Sequence, residues 1–252
     1  MTELTEDALL DGRLRLTQPR DGYRVAIDPV LLAAGVPAGA GERVLDAGAG
    51  TGAASLCLAT RVPDCQIVAL EVERNLQRLA SYNVSANRLG PQIDVMTGDL
   101  GQPPPRLVSA SFDHVMTNPP YLEAAAATPP QAPDRARAHV ESGLDLAEWL
   151  AACVRMLKQG GRLTLIHRAD RLDAIMSALM GKVGEIVIFP FWPQAGRPAR
   201  RLLVQGRKGA RGPLRLAPGL VLHEADGRYS QAAEALLRGA AGLAPLAGPD
   251  HG

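Results

Sequence analysis

The residues best suited to chemistry in this sequence are Asn118-Pro119-Pro120-Tyr121, which follow an apolar stretch at 112–116. The two prolines restrict the backbone and leave nearby carbonyl oxygens without a competing N–H donor. The side-chain oxygen of Asn118 and the carbonyl of Pro119 can accept both hydrogens of a planar amino group, while Tyr121 stacks on the ring that carries it. Such a clamp orients a weakly nucleophilic nitrogen and acts by proximity rather than by acid–base chemistry. An ordinary Pro-Pro loop turn is the alternative.

A second group of candidate residues lies at the ends of three successive predicted strands. Residues 46–52 read Asp-Ala-Gly-Ala-Gly-Thr-Gly, and glycines after a buried strand bring a ligand close to a helix N-terminus. The acid that ends the next strand can accept hydrogen bonds from both hydroxyls of a ribose, and the acid after the third can accept one from an adenine amino group. An ordinary tight strand–helix turn is the alternative. The predicted ligand contacts are Asp46, Gly48, Gly50, Glu71 and Asp99.

Apolar periodicity predicts the elements that position these side chains. Strands are expected at 43–46, 66–71, 93–96, 112–116, 162–167, 185–189 and 201–205. Helices are expected from the glycine loop to about residue 61, and at 74–88, 146–157 and 172–180, the third being stopped by Gly160-Gly161. The alternation predicts an α/β fold, with a mostly parallel, twisted sheet and helices on both faces. Residues 1–40 are expected to form an N-terminal cap over the carboxyl edge of the sheet, and 41–245 the main domain.

Composition excludes several classes of protein. The chain has 252 residues, 46% hydrophobic and 21% charged, which suits a soluble globular protein and not a disordered one. No apolar run reaches the roughly 18 residues that span a bilayer, and the acidic N-terminus lacks the order of a secretory signal. Three scattered cysteines and five histidines without an i, i+4 pair predict neither a disulfide framework nor a metal site. We expect a cytoplasmic protein without metal.

The net charge of +1 conceals a strong asymmetry between the two parts of the chain. Residues 1–154 carry 12 basic and 19 acidic side chains (−7), whereas residues 155–252 carry 15 and 7 (+8). Between Arg155 and Arg215 there are 13 basic and 3 acidic side chains, the footprint of a phosphate-binding face or of a solvated basic surface. The loop at 122–137 is too long for an ordinary strand–helix connection, and its length is typical of a substrate lid or of a disordered tip. The candidates for phosphate contact are Arg137, Arg197, Arg200, Arg207, Lys208 and Arg211.

These motifs resemble those of known families. The spacing D-x-G-x-G-x-G from Asp46 is similar to the S-adenosylmethionine loop of class I methyltransferases. The stretch 118–121 is similar to the signature of amino-methyltransferases acting on adenine N6, guanine N2 or a protein glutamine amide. Over about residues 10–240 the chain resembles the bacterial tRNA(Val) adenine-N6 methyltransferases, with further matches at 23–28, 31–33, 136–137, 201–204 and 227–230.

This resemblance implies a Rossmann-like class I methyltransferase that uses S-adenosylmethionine to methylate an adenine N6 amino group in RNA, a tRNA near its anticodon. Arg24 would pair with the methionine carboxylate of the cofactor, Asp28 would face its amino group, and Asn118 would border it. A surface salt bridge for Arg24 and a helix N-cap for Asp28 are the alternatives.

Three other functions remain open from the sequence. A guanine-N2 rRNA methyltransferase or a protein-glutamine N-methyltransferase would use the same amino clamp. A protein of a different class, a catalytically silent cofactor-binding RNA scaffold, would have no need of one, and the intact Asn118 and Tyr121 argue against it.

Overall fold

Alternate residues of the first strand of the central sheet enter two different apolar cores. A computed structural model describes residues 3–20, 25–120, 144–239 and 241–243. In it Val44 packs with the core that contains Leu31 and Leu56, whereas Leu45 packs with the core that contains Leu150. This strand is therefore covered by helices on both faces. The predictions for Arg24, Tyr121, Arg137 and the loop at 122–137 lie outside the described residues.

The strands have well-defined bounds and form two sheets. They are β1 (Leu4–Leu9), β2 (Leu14–Pro19), β3 (Arg43–Ala47), β4 (Gln66–Glu71), β5 (Ile93–Thr97), β6 (Phe112–Thr117), β7 (Leu157–Arg168), β8 (Val183–Trp192), β9 (Arg201–Lys208), β10 (Arg215–Leu216) and β11 (Leu220–Val221). The central sheet has the order β10-β8-β9-β7-β6-β3-β4-β5, with β11 also beside β8. β9 is antiparallel to both of its neighbours, and the other pairs in this sheet are parallel. The mostly parallel sheet is thus confirmed.

The helices pack as two layers. They are α1 (Asp28–Gly35), α2 (Ala53–Arg61), α3 (Arg74–Ala86), α4 (Leu146–Met156), α5 (Leu172–Leu179) and α6 (Gln231–Gly239), with a 3-10 turn at Ala169–Arg171. Buried residues of α1, α2, α3 and α6 belong to one core, and those of α4 and α5 to the other. Over the described ranges, none of these helices combines the length and the apolar character needed to cross a bilayer.

The glycine pair at 160–161 has a different role from the predicted one. α4 already ends at Met156, and β7 begins at Leu157, five residues before the predicted strand. Gly160 adopts φ +79° inside β7, where the pairing with β6 shifts register. The prediction that this pair stops the helix was wrong, because it forms an irregularity at the start of a strand.

The segment expected to be a single cap consists of two units in the structure. β1 and β2 form an antiparallel hairpin, which the sequence analysis did not predict. The backbone of Thr17 in β2 donates to Asn83 Oδ1 at 2.8 Å and accepts from its Nδ2 at 2.9 Å, which fixes the hairpin beside α3. α1, in contrast, packs on α2 and belongs to the helical layer of the main domain.

Candidate active site

The glycine loop after β3 is held against β4 by backbone hydrogen bonds. The N–H groups of Gly48 and Ala49 both donate to the carbonyl of Leu70 at 2.9 Å. Gly48 adopts φ +76°, and a Cβ atom there would lie 3.0 Å from the ring of Trp149. Both the conformation and the close approach require glycine at this position. The loop therefore passes tightly over the strand ends, as the sequence predicted.

Glu71 at the end of β4 is joined to this loop by its side chain. One carboxylate oxygen accepts from the N–H of Gly50 at 2.8 Å and the other from the N–H of Glu73 at 2.9 Å. The residue is only 7% exposed, and burial raises the pKa of its carboxyl although these N–H groups act to lower it. The backbone N–H of Val72 also bonds this carboxylate, and because a carboxylate has about four acceptor positions, capacity remains for a ligand hydroxyl.

Asp46 lies beneath the loop in a still more enclosed environment. Its Oδ2 accepts from the hydroxyl of Ser55 at 2.7 Å, and the residue is 2% exposed. Burial, with a further contribution from the negative charge of Glu71, raises the pKa of Asp46 to about 7. Two neighbouring acids with raised pKa values indicate a site stabilised by a ligand that brings hydrogen-bond donors or positive charge.

Asp99 lies at the same edge, just beyond β5. The N–H of Gly98 donates to the carbonyl of Glu71 at 3.0 Å, which places Asp99 next to the end of β4. One of its side-chain oxygens accepts from the N–H of Gly101 at 2.8 Å. The structure therefore brings together the three predicted strand ends at one edge of the sheet.

Asn118 follows β6 on the other side of the glycine loop. Thr117 is the register partner of Ala47 in β3, so Asn118 and Gly48 leave the sheet at the same level. The Oδ1 atom of Asn118 is buried and has no hydrogen-bond partner among the described residues. A buried acceptor without a donor costs about 1–3 kcal/mol, so this atom is suited to a donor supplied by a ligand. Pro119 next to it is also buried.

Asp28 is engaged in an ion pair that the sequence analysis did not predict. It is the first residue of α1, but Ile27 occupies the N-cap position and the helix has no side-chain cap. Instead, Asp28 Oδ2 accepts from Arg201 Nε at 2.8 Å. Because β9 runs opposite to β7, Arg201 at its start lies at the same edge as the ends of the parallel strands.

The structure divides the predicted group of phosphate-binding residues between two edges of the sheet. Arg197 and Arg200 are exposed and precede β9, at the edge that carries Asn118. Arg207 and Lys208 end β9, about 20 Å away at roughly 3.3 Å per residue. Arg207 Nε donates to the carbonyl of Gly160 at 3.1 Å, and Lys208 Nζ donates to a backbone carbonyl of β7 at 2.8 Å. These four residues do not form a single surface.

Two basic residues that the sequence analysis missed lie at the site edge. Arg168 ends β7 opposite Arg201, and Arg171 closes the following 3-10 turn. Burial, together with the charges of Arg171, Arg168 and Arg201, lowers the pKa of the neighbouring His167 to about 4. The sequence signal that could have identified them is the group of charged residues Arg168, Asp170 and Arg171, which follows the strand predicted at 162–167. Arg168 is paired with Asp170 and Arg201 with Asp28, so the positive charge beside Asn118 is partly compensated by acids of the same edge.

No group of three His, Cys, Asp or Glu side chains within the described residues is arranged to hold a metal ion. The three cysteines are buried free thiols.

Comparison with known proteins identifies the family. The family described as "Methyltransferase small domain" matches residues 26–188. The tRNA1(Val) (adenine(37)-N6)-methyltransferase of Aeromonas hydrophila is 33% identical over 214 residues, which cover 84% of this chain and 87% of that protein.

Solved structures of methyltransferases share the fold. A protein described as a predicted O-methyltransferase, from Agrobacterium tumefaciens, superposes with a TM-score of 0.72 at 26% identity over 86% of this chain and 98% of its own. An S-adenosylmethionine-dependent O-methyltransferase from Thermotoga maritima shares the fold, with a TM-score of 0.55 and 17% identity over 76% of this chain and 68% of its own. The chain belongs to the tRNA1(Val) (adenine(37)-N6)-methyltransferase family of Rossmann-like, S-adenosylmethionine-dependent methyltransferases.

Proposed function

We propose that this enzyme methylates the N6 amino group of an adenine in the anticodon region of a tRNA, in the cytoplasm. The observation that carries the proposal is the buried, unpartnered Oδ1 of Asn118 at the edge of the glycine loop. An amino group is the donor that such an acceptor, beside a proline carbonyl, can bind. The name of the Aeromonas hydrophila relative supports adenine and tRNA as the target.

The residues around the glycine loop suit S-adenosylmethionine, which supplies an electrophilic methyl group when bound. Gly48 and Gly50, both with positive φ, present loop backbone without a Cβ atom at these two positions. Glu71 offers acceptors for the ribose hydroxyls. Asp99 offers an acceptor for the adenine amino group, and Asp46 beneath the loop is bonded to Ser55 in the first turn of α2. Asp28 is paired with Arg201, so contact with the methionine amino group would require it to share its carboxylate.

The chain acts on the methyl acceptor by orienting it. Asn118 Oδ1 and the Pro119 carbonyl accept the two N–H groups of the adenine amine, which aligns the nitrogen lone pair with the cofactor side of the site. The same two oxygens stabilise the positive charge that develops on this nitrogen. Tyr121 remains a predicted stacking partner.

The RNA would reach this site along the basic edge. Arg168, Arg171, Arg197 and Arg200 lie beside the end of β7 and the start of β9, where they can contact phosphates on either side of the target nucleotide. The adenine has to leave its base stack to enter the clamp, and this costs least in a single-stranded loop.

The test is nucleoside mass spectrometry of tRNA after incubation with the protein and deuterated S-adenosylmethionine. We expect labelled N6-methyladenosine at one position near the anticodon. Labelled N2-methylguanosine would contradict the proposal and favour a guanine-N2 methyltransferase. Label in a polypeptide and none in tRNA would contradict it and favour a protein-glutamine methyltransferase. Asn118→Ala protein is the matched control for contaminating methyltransferases.

A further inference from the structure

Thr117 connects the clamp strand to the cofactor loop by its side chain. It is the last residue of β6 and is fully buried. Its hydroxyl donates to the carbonyl of Ala47, the last residue of β3, at 2.8 Å. The same hydroxyl oxygen accepts a hydrogen bond from the indole N–H of Trp149 at 3.0 Å. The hydroxyl is therefore both donor and acceptor at the point where both strands end.

Trp149 contacts the other side of this junction. It lies in the first turn of α4, is 6% exposed, and its ring would be 3.0 Å from a Cβ atom at Gly48. One side chain thus packs under the glycine loop and donates to the residue directly before Asn118. Neither this packing contact nor this hydrogen bond is part of the proposed methyl-transfer mechanism.

The backbone cannot make this connection beyond the strand ends. The pair Ala47–Thr117 is the last register pair between β3 and β6. The chain then continues as Asn118, Pro119 and Pro120, and the two prolines have no N–H to extend the ladder. At this last pair, the Thr117 hydroxyl adds side-chain hydrogen bonds that join the two strand ends to α4.

We propose that Thr117 and Trp149 are positioning residues that set the distance between the amino-group clamp and the cofactor loop. The role of the clamp in this inference rests on the proposed function. Neither residue has to touch the substrate, because each acts through its neighbour: Thr117 through Asn118, and Trp149 through Gly48.

The first test measures turnover and cofactor affinity of Thr117→Val, which preserves shape and removes the hydroxyl. We expect kcat to fall about tenfold or more, since small misplacements of reacting groups cost up to about a hundredfold. The KM for tRNA and the cofactor Kd from calorimetry should stay within about twofold. Thr117→Ser should restore kcat. Trp149→Phe removes the indole N–H and also shortens the ring that packs under Gly48, so it should lower kcat at least as much as Thr117→Val.

The matched control is Thr164→Val on the adjacent strand β7. Thr164 is also fully buried and its hydroxyl also accepts a side-chain hydrogen bond, from Gln205 at 3.2 Å. If Thr117→Val and Thr164→Val lose activity equally and in proportion to their unfolding midpoints, the positioning role is refuted. A loss confined to cofactor affinity would refute it as well.

A second test needs no substrate. Hydrogen exchange of the cofactor-free protein should become several-fold faster at residues 46–52 in Thr117→Val, and unchanged there in Thr164→Val. If hydrogen exchange at residues 46–52 is unchanged in both variants, the inference that Thr117 in β6 positions the cofactor loop is wrong. Failure of the proposed function would instead appear as wild-type protein that labels no adenine in tRNA, and the exchange result would still decide the inference.

Discussion

The two edges of the central sheet each carry a pair of acidic side chains, and the environments of the two pairs differ. At the amino edge, Glu42 contacts His114 at 2.9 Å and Asp113 contacts Lys158 at 2.7 Å. At the carboxyl edge, the donors that the structure describes for Asp46 and Glu71 are a hydroxyl and backbone N–H groups.

The pKa directions follow this difference. Burial acts to raise the pKa of Glu42 and of Asp113, but hydrogen bonds and the opposite charges outweigh it, so both pKa values are lowered. Burial prevails for Asp46 and Glu71, whose pKa values are raised. At the amino edge the ionised form of the acids is favoured by partners within the fold, whereas at the carboxyl edge burial disfavours it.

The largest expected effect concerns the unpartnered acceptor of the carboxyl edge. Asn118→Ala should lower kcat by about a hundredfold to a thousandfold, the cost of losing one group that stabilises developing charge. Cofactor affinity should remain nearly intact, because the side chain orients the methyl acceptor. Steady-state kinetics and calorimetry measure both quantities. Near wild-type turnover in Asn118→Ala would show that the clamp interpretation is wrong.

Glu71→Ala should weaken cofactor binding by about 1.5–3 kcal/mol, the scale of losing a hydrogen-bonded charged group. Glu42→Ala at the amino edge should leave cofactor binding unchanged and serves as the control. Calorimetric titration of both variants with S-adenosylmethionine measures the difference. If Glu71→Ala and Glu42→Ala bind S-adenosylmethionine with equal affinity, the prediction that Glu71 binds the ribose is wrong.

Asp46→Asn should stabilise the cofactor-free protein above neutral pH while it weakens cofactor binding. The pKa of Asp46 is about 7 in the folded state, so the native state holds more protons than the unfolded state between about pH 4 and 7. Stability due to this group is therefore lost as the pH rises through that range. We expect the free energy of unfolding of Asp46→Asn to exceed that of wild type by on the order of 2 kcal/mol at pH 8.

The matched variant at the other edge is Asp113→Asn, which should destabilise the protein and leave cofactor affinity unchanged. Its lowered pKa means that its contribution is present above the unfolded value and lost as the pH falls through the folded value. Denaturant unfolding from pH 4 to 8 distinguishes the two variants. The contrast between the edges would be untenable if both variants shifted stability in the same direction at pH 8.

The smallest expected effect concerns RNA affinity. Alanine at Arg197 and Arg200 should weaken tRNA binding a few-fold and flatten its dependence on salt by about 0.7 per lost phosphate contact. Alanine at Arg207 and Lys208, which lie at the amino edge, should change neither the tRNA affinity nor its dependence on salt. Salt titrations of tRNA binding measure both double variants. An equal loss of tRNA affinity in the two double variants would mean that RNA contacts both edges of the sheet.

The sequence predicted the sheet and its strand ends well, because buried parallel strands are short apolar runs whose chemistry-bearing residues follow directly. It could not predict the division of the basic residues. The apolar run in β9 is compatible with either strand direction, and the direction alone decides whether Arg200 or Arg207 lies near the site. The hairpin was missed for a related reason, since its fixed position depends on Asn83 and Asn87, which are far away in the chain.

The reversed direction of β9 also affects how such an enzyme can change its affinity for nucleic acid. The segment before β9 reaches the active-site edge without following any strand that carries the cofactor loop or the clamp. Exchanging residues 193–200 between relatives should therefore alter the affinity for nucleic acid and leave the methyl-transfer machinery in place. RNA affinity and methyl transfer would then depend on different segments of the chain that meet at one edge of the sheet.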